Sequence, residues 1–144
     1  MTERSAAEVI AALDLAPHPE GGWYRQTWEA EASAGARPAG TAILFLLAEG
    51  ERSHWHRVDA AEVWLWHAGA PLVLSRAETE AGPATEVTLG ADLTFQAVVE
   101  PWHWQAARTT GAWSLVSCTV SPGFRFDGFE LAPPGFDIPR GAAG

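Results

Sequence analysis

The chain contains no lysine; its nine basic residues are all arginine. Schiff-base chemistry and lysine general bases are therefore excluded. It has one cysteine, Cys118, so no internal disulfide can form. Set in an apolar run, that thiol reads as a small buried hydrophobe rather than as a nucleophile. There is one tyrosine, Tyr24, which leaves histidine, carboxylates and a single phenol as proton carriers. Basic charge is scarce as well: the net charge of -9 argues against a nucleic-acid partner and against an anionic membrane surface. The longest apolar stretch, Ala42 to Ala48, is too short to span a bilayer. The N-terminal Met-Thr-Glu-Arg-Ser lacks a charged-then-apolar signal pattern, so a cytoplasmic location is expected.

What is present suffices for one folded domain over residues 1–144, with 47% hydrophobic residues to build a core. Ser5 to Leu15 reads as a short helix, so that residues 1–16 form an N-terminal helical segment. Ser5 can cap it and Glu8, three residues on, completes a capping box. Pro17 stops it, and Pro17–Tyr24 turns into a first strand, Trp23–Trp28. From residue 41 short β-like runs follow one another: 41–48, 52–57, 62–67, 72–76, 86–89, 94–99, 104–107 and 113–120, with a last extended piece at 124–131. Gly50, Gly69, Gly82, Gly90, Pro101 and Gly111 fall between them. Many short strands at this spacing predict a sandwich or barrel. The Pro/Gly/Ala-rich tail, placed at 132–144, is expected to be loosely held.

The chemistry concentrates in His54-Trp55-His56, followed by Glu62 and Gly69. Side chains alternate along a strand, which puts His54 and His56 on one face, and Glu62, Trp64 and Trp66 on one face of the next. If the two strands pair, two imidazoles and a carboxylate converge. That set suits one divalent transition metal: Zn, Fe, Ni or Mn.

Gly50, His54, His56, Glu62 and Gly69 resemble the first motif of the cupin superfamily. The second motif is weaker. Pro101-Trp102-His103-Trp104-Gln105 places Gln105 near the third-histidine position, with His103 nearby. A longer match runs through His18-Pro19-Glu20-Gly21-Gly22-Trp23-Tyr24, Ser53-His54-Trp55-His56-Arg57, Glu62-Val63-Trp64, Trp104-Gln105 and Cys118-Thr119-Val120-Ser121-Pro122-Gly123-Phe124. In this the chain resembles the DUF985 (Cupin_5) family. The resemblance implies an all-β, double-stranded β-helix (a cupin or jelly-roll barrel) with a short N-terminal helix. It also implies a homodimer, and a shape like that of the superfamily's sugar-nucleotide epimerases. Leu65 stands where the family commonly carries histidine.

The metal set is then His54, His56, Glu62 and Gln105, the last a poorer ligand than imidazole. Without a metal, a histidine held by a carboxylate forms an acid–base pair near neutral pH. The catalytic candidates are His56, Glu62 and Tyr24, the phenol by likeness to related epimerases. Trp64, Trp66, Arg57, Gln26, His18 and Glu20 are substrate-binding candidates: the tryptophans as flat apolar walls, Arg57 for an anionic group. The segment from Ser121 to Phe129 reads as structural closure of one barrel end. Three readings stay open for this small-molecule partner: an isomerase- or epimerase-like enzyme acting on a sugar-type or carbonyl metabolite, a metal-dependent oxidoreductase of dioxygenase type, and a non-catalytic binding cupin. No organic cofactor is expected.

Overall fold

The structure is a computed structural model, and it describes residues 4–141. One helix, α1 (Ala6–Leu13), precedes eleven strands. They are β1 (Ala16–Pro17), β2 (Trp23–Glu29), β3 (Thr41–Ala48), β4 (Arg52–Val58), β5 (Ala61–Gly69), β6 (Leu72–Ala77), β7 (Thr85–Leu89), β8 (Gln96–Val99), β9 (Trp104–Thr109), β10 (Trp113–Ser121) and β11 (Phe129–Leu131). The named strands pair antiparallel, in a six-stranded sheet of order β1-β2-β3-β10-β5-β8 and a five-stranded sheet of order β11-β4-β9-β6-β7. The all-β barrel with a short N-terminal helix stands as the sequence implies.

Alternation assigns each sheet an inner and an outer face. Phe45 and Leu47 of β3, Trp64 of β5 and Val116 and Cys118 of β10 meet Leu72 and Leu74 of β6 and Ala107 of β9 to form the barrel core. Outside the larger sheet, Val9 and Leu15 pack on Leu46 and Trp113, so α1 caps that face. The helix begins as its sequence dictates: Ser5 Oγ accepts from the Glu8 amide and Glu8 Oε1 from the Ser5 amide, both at 3.2 Å. It ends at Asp14, which adopts the left-handed conformation at φ 54°.

Two expectations are corrected. The piece at 124–131 is not one extended run: Phe126–Gly128 forms a 3-10 turn before β11. The tail is not loose over its described part, 132–141. Ala132 and Ile138 are buried against Trp55, Ala77, Ala84 and Trp104 on the outer face of the smaller sheet. Trp55 Nε1 donates to Asp137 Oδ1 at 2.8 Å, and Ala84 bridges Arg140. The physical reason is that Trp55 and Trp104 leave a large outward apolar patch that the tail covers. Residues 1–3 and 142–144 lie outside the described residues.

Replacing Ile138 by alanine is expected to lower stability by about 2–4 kcal/mol in urea unfolding, as for a core residue. A loss under about 0.5 kcal/mol, as at an ordinary surface position, would show the tail to be dispensable.

Candidate functional site

The site forms where the turn 18–22 docks onto β4. Gly21 has φ +110°, and a Cβ there would overlap the Arg52 carbonyl oxygen, so only glycine lets this turn approach so closely. The turn is closed by the His18 amide donating to Gly22 O at 2.9 Å and the Gly21 amide to His18 O at 3.0 Å. It is fastened to the strand by the His54 amide donating to Glu20 O at 2.8 Å. Glu20 thereby enters the barrel mouth over Ser53 and His56.

Strand β4 is irregular at this point. Ser53 pairs with Ala107 and His56 with Gln105, so three steps on β4 oppose two on β9. This extra residue is a β-bulge. Ser53 and His56 both face inward, while Trp55 joins the outer cluster. His54 is turned away too: its Nε2 donates to Pro133 O at 2.9 Å. Simple alternation therefore misplaces His54.

A cavity of about 60 Å³ lies at this end of the barrel. His18, Glu20, Tyr24, Gln26, His56 and Glu62 line it, together with Cys118 and the rings of Phe124 and Phe126. Several water molecules or a small organic group fit such a space. The His56 Nδ1–H donates to His54 O at 2.7 Å, which fixes the tautomer and leaves the Nε2 lone pair free. That Nε2 stands 3.6 Å from Glu20 Oε2. The Ser53 hydroxyl donates to the same Glu20 oxygen. His18 Nδ1 accepts from the Glu20 amide at 3.1 Å, and its ring sits edge-on to Tyr24 at 4.5 Å.

Glu62 is positioned across the barrel. Gln105 Nε2 donates to Glu62 Oε1 at 3.0 Å, and Trp64 Nε1 donates to Gln105 Oε1 at 2.7 Å. Burial pushes Glu20 up to about 8, against the opposing effect of the Ser53 hydroxyl. Burial also pushes Glu62 up to about 7, opposed by His56 and reinforced by Glu20. It lowers His18 to about 4, aided by His56, and it lowers His56 despite the nearby Glu62. The cavity thus holds two neutral imidazoles and two carboxyls that titrate close to neutrality.

Several candidates lie elsewhere. Glu62, Trp64 and Trp66 share the inner side of β5, but only Glu62 lines the cavity. Trp64 fills the core, while Trp66 donates to Ala70 O at 3.0 Å and faces Phe95. Arg57 lies outside: it pairs with Glu130 and stacks 4.7 Å from the Trp104 ring centroid. The metal set of His54, His56, Glu62 and Gln105 is not assembled, because His54 is turned to the tail and the Gln105 oxygen is occupied by Trp64. Among the described residues no three His, Cys, Asp or Glu side chains are grouped to hold a metal ion. These residues do not fit the expected ion. Sequence reasoning passed over Ser53, Cys118, Phe124 and Phe126. The alternation Val116, Cys118, Val120 on β10 was the available signal for Cys118; the bulge that turns Ser53 inward left none.

The carboxyls set a pH dependence. An unfolded glutamate titrates near 4.5, whereas folded Glu20 titrates near 8, so the native state holds the extra proton between those values. Stability from this source is full below about 4.5 and is lost as pH rises through 8. The lowered histidines act oppositely, but only below their ordinary value of 6.5. From pH 6.5 upward, unfolding free energy is therefore expected to fall. Glu20→Gln should flatten that decline by up to about 1 kcal/mol per pH unit. Urea titrations across this range check it, and an unchanged slope would contradict the assignment.

Residues 7–132 match the family described as Cupin superfamily (DUF985). A solved structure of a Shewanella oneidensis protein superposes with a TM-score of 0.83 at 38% identity, covering 90% of this chain and 85% of that one. A hypothetical protein from Leishmania major gives 0.80 at 30% identity, over 92% and 90% of the two chains. The oxalate decarboxylase of Lactobacillus farciminis, in its formate complex, gives 0.63 at 16% identity, over 81% of this chain and 33% of that one, a likeness of fold alone. No curated protein matches. With the barrel, the docked turn and the family match in agreement, the chain belongs to the cupin superfamily, in its DUF985 family.

Proposed function

We propose that the chain is a small-molecule enzyme of isomerase or epimerase type, acting by proton transfer beside a carbonyl of a compact metabolite. One observation carries this reading: the His56 Nε2 lone pair, fixed by the bond from Nδ1 to His54 O, faces a cavity that also contains Glu20 and Glu62.

His56 Nε2 takes the proton from the carbon next to the carbonyl, so a C–H bond breaks and an N–H bond forms. The electron pair moves to the carbonyl oxygen. A protonated Glu62 or Glu20 gives that oxygen its proton, and where the deprotonated carbon carries a hydroxyl an enediol results. Reversal with the proton returned to the neighbouring carbon isomerises the substrate; return to the other face of the same carbon epimerises it. Tyr24, on β2, is the proposed acid for that other face. The raised carboxyls supply the proton that Arg57, on the outside, cannot. The metal-dependent oxidoreductase reading needs His54 and Gln105 turned toward His56 and Glu62.

We further propose that the chain works in the cytoplasm as a homodimer. Phe95 and Val98, 47% and 44% exposed beside the edge of the larger sheet, are surfaces a second copy would cover. Light scattering is expected to give a mass near twice 15.4 kDa, and a monomer mass at micromolar concentration would refute it. For the chemistry, small hydroxy-carbonyl compounds incubated in D₂O should exchange a carbon-bound proton, read by NMR. His56→Ala should slow exchange by about 10²–10⁴-fold, with Glu62→Gln also impaired. Full turnover by both variants would sink the assignment.

A further inference from the structure

The cavity beneath the 18–22 turn is rich in acceptors and poor in cations. Its titratable lining is Glu20, Glu62, His18, His56, Cys118 and Tyr24. Among the described residues no arginine lines it, although the chain has nine. The His56 Nδ1 proton is spent on His54 O, so the inward Nε2 is an acceptor. Glu20 and Glu62 add carboxyl oxygens. Around these stand three aromatic rings, Tyr24, Phe124 and Phe126. Phe126 is 56% exposed and packs edge-on to Phe124 at 4.9 Å, which sets it at the rim.

Each class of ligand meets this surface differently. An anion would face two carboxyls and two uncharged imidazoles and find no counter-charge. A neutral carbonyl oxygen would accept from one protonated carboxyl and leave the His56 Nε2 acceptor unmatched. An ammonium group would give N–H donors to His56 Nε2 and to both carboxyls, and its charge would take the place of their protons. Its alkyl substituents would lie against ring faces, which attract cations.

We propose that the ligand of this cavity is a small organic cation, an ammonium-bearing molecule held between Glu20 and Glu62 beneath Tyr24, Phe124 and Phe126. The inference rests on taking this cavity as the ligand site, and it does not depend on the proton-transfer chemistry proposed there. Two buried carboxyls with no arginine or lysine in the cavity, and only uncharged imidazoles beside them, keep their protons near neutrality, Glu20 to about 8 and Glu62 to about 7. A bound cation favours their ionised forms. Binding at pH 7 must therefore release protons.

The test is calorimetric titration of the full chain at pH 7 with ethylammonium, trimethylammonium, acetate and acetone, in two buffers of different ionisation heat. The ammonium ions are expected to bind saturably, with a heat that changes between buffers as proton release requires. Acetate and acetone should bind at least about tenfold more weakly. Glu20→Gln and Glu62→Gln keep the side-chain shape, and each should weaken ammonium binding by about tenfold. Phe126→Ala, at an exposed position, should weaken it by about two- to fivefold. Equal binding of acetate or acetone, absent proton release, or no saturable ammonium binding would each overturn the proposal. Ammonium binding without isotope exchange in any carbonyl compound would retire the isomerase reading and leave this one standing. Exchange on neutral compounds without ammonium binding would do the reverse.

Discussion

One extra residue in β4, between Ser53 and His56, governs the geometry of this barrel end. Without it the strand would alternate regularly and Ser53 and His56 would face opposite sides. With it both face inward, and the intervening His54 and Trp55 turn outward. The bulge also leaves the His54 amide free of the ladder to β9, and that amide receives the 18–22 turn. The inward imidazole, the docked glutamate and the outward tryptophan all follow from this local irregularity, in keeping with the tendency of bulges to re-aim side chains near functional sites.

Desolvation is the second constraint. Glu20, Glu62, His18 and His56 are enclosed with no arginine or lysine to offset them, so their neutral forms are favoured. Burying four ionisable groups costs stability, and the structure limits that cost through specific partners. Ser53 serves Glu20, Gln105 serves Glu62 and a main-chain carbonyl serves His56. Gln105 deserves comparison with the histidine that the cupin resemblance leads one to expect near it. Both ends of its amide are engaged: its nitrogen donates to Glu62, and its oxygen accepts from Trp64. It holds a carboxyl in place.

The strand pattern was readable because alternation and turn residues leave a local mark. The apolar run at Thr41–Ala48 is β3, residue for residue, and Ser5 with Glu8 announces α1. Parity put Glu62 on the inner face of β5 along with Trp64 and Trp66, yet which of the three reaches the cavity depends on depth along the barrel, a tertiary quantity. Parity failed for His54 because a bulge has no fixed composition. The resemblance of the His18–Tyr24 string brought His18 and Glu20 into consideration, though nothing local says that this turn folds back onto a strand more than thirty residues away. For Arg57 the strand's two faces decide: beside an inward His56 it lies outside, paired with Glu130 and stacked on Trp104.

The packed tail has a consequence for how the protein can be altered. Pro133, Asp137 and Ile138 grip the outer face of β4 and its neighbours, while His56 occupies the inner face of the same seven-residue strand. Front and back of one ribbon are thus held by different parts of the chain. A fusion, a truncation or a proteolytic cut that pulls the C-terminal segment off the sheet removes the backing of the strand that carries the inward imidazole. The far end of the chain is a lever on the barrel mouth without ever touching it.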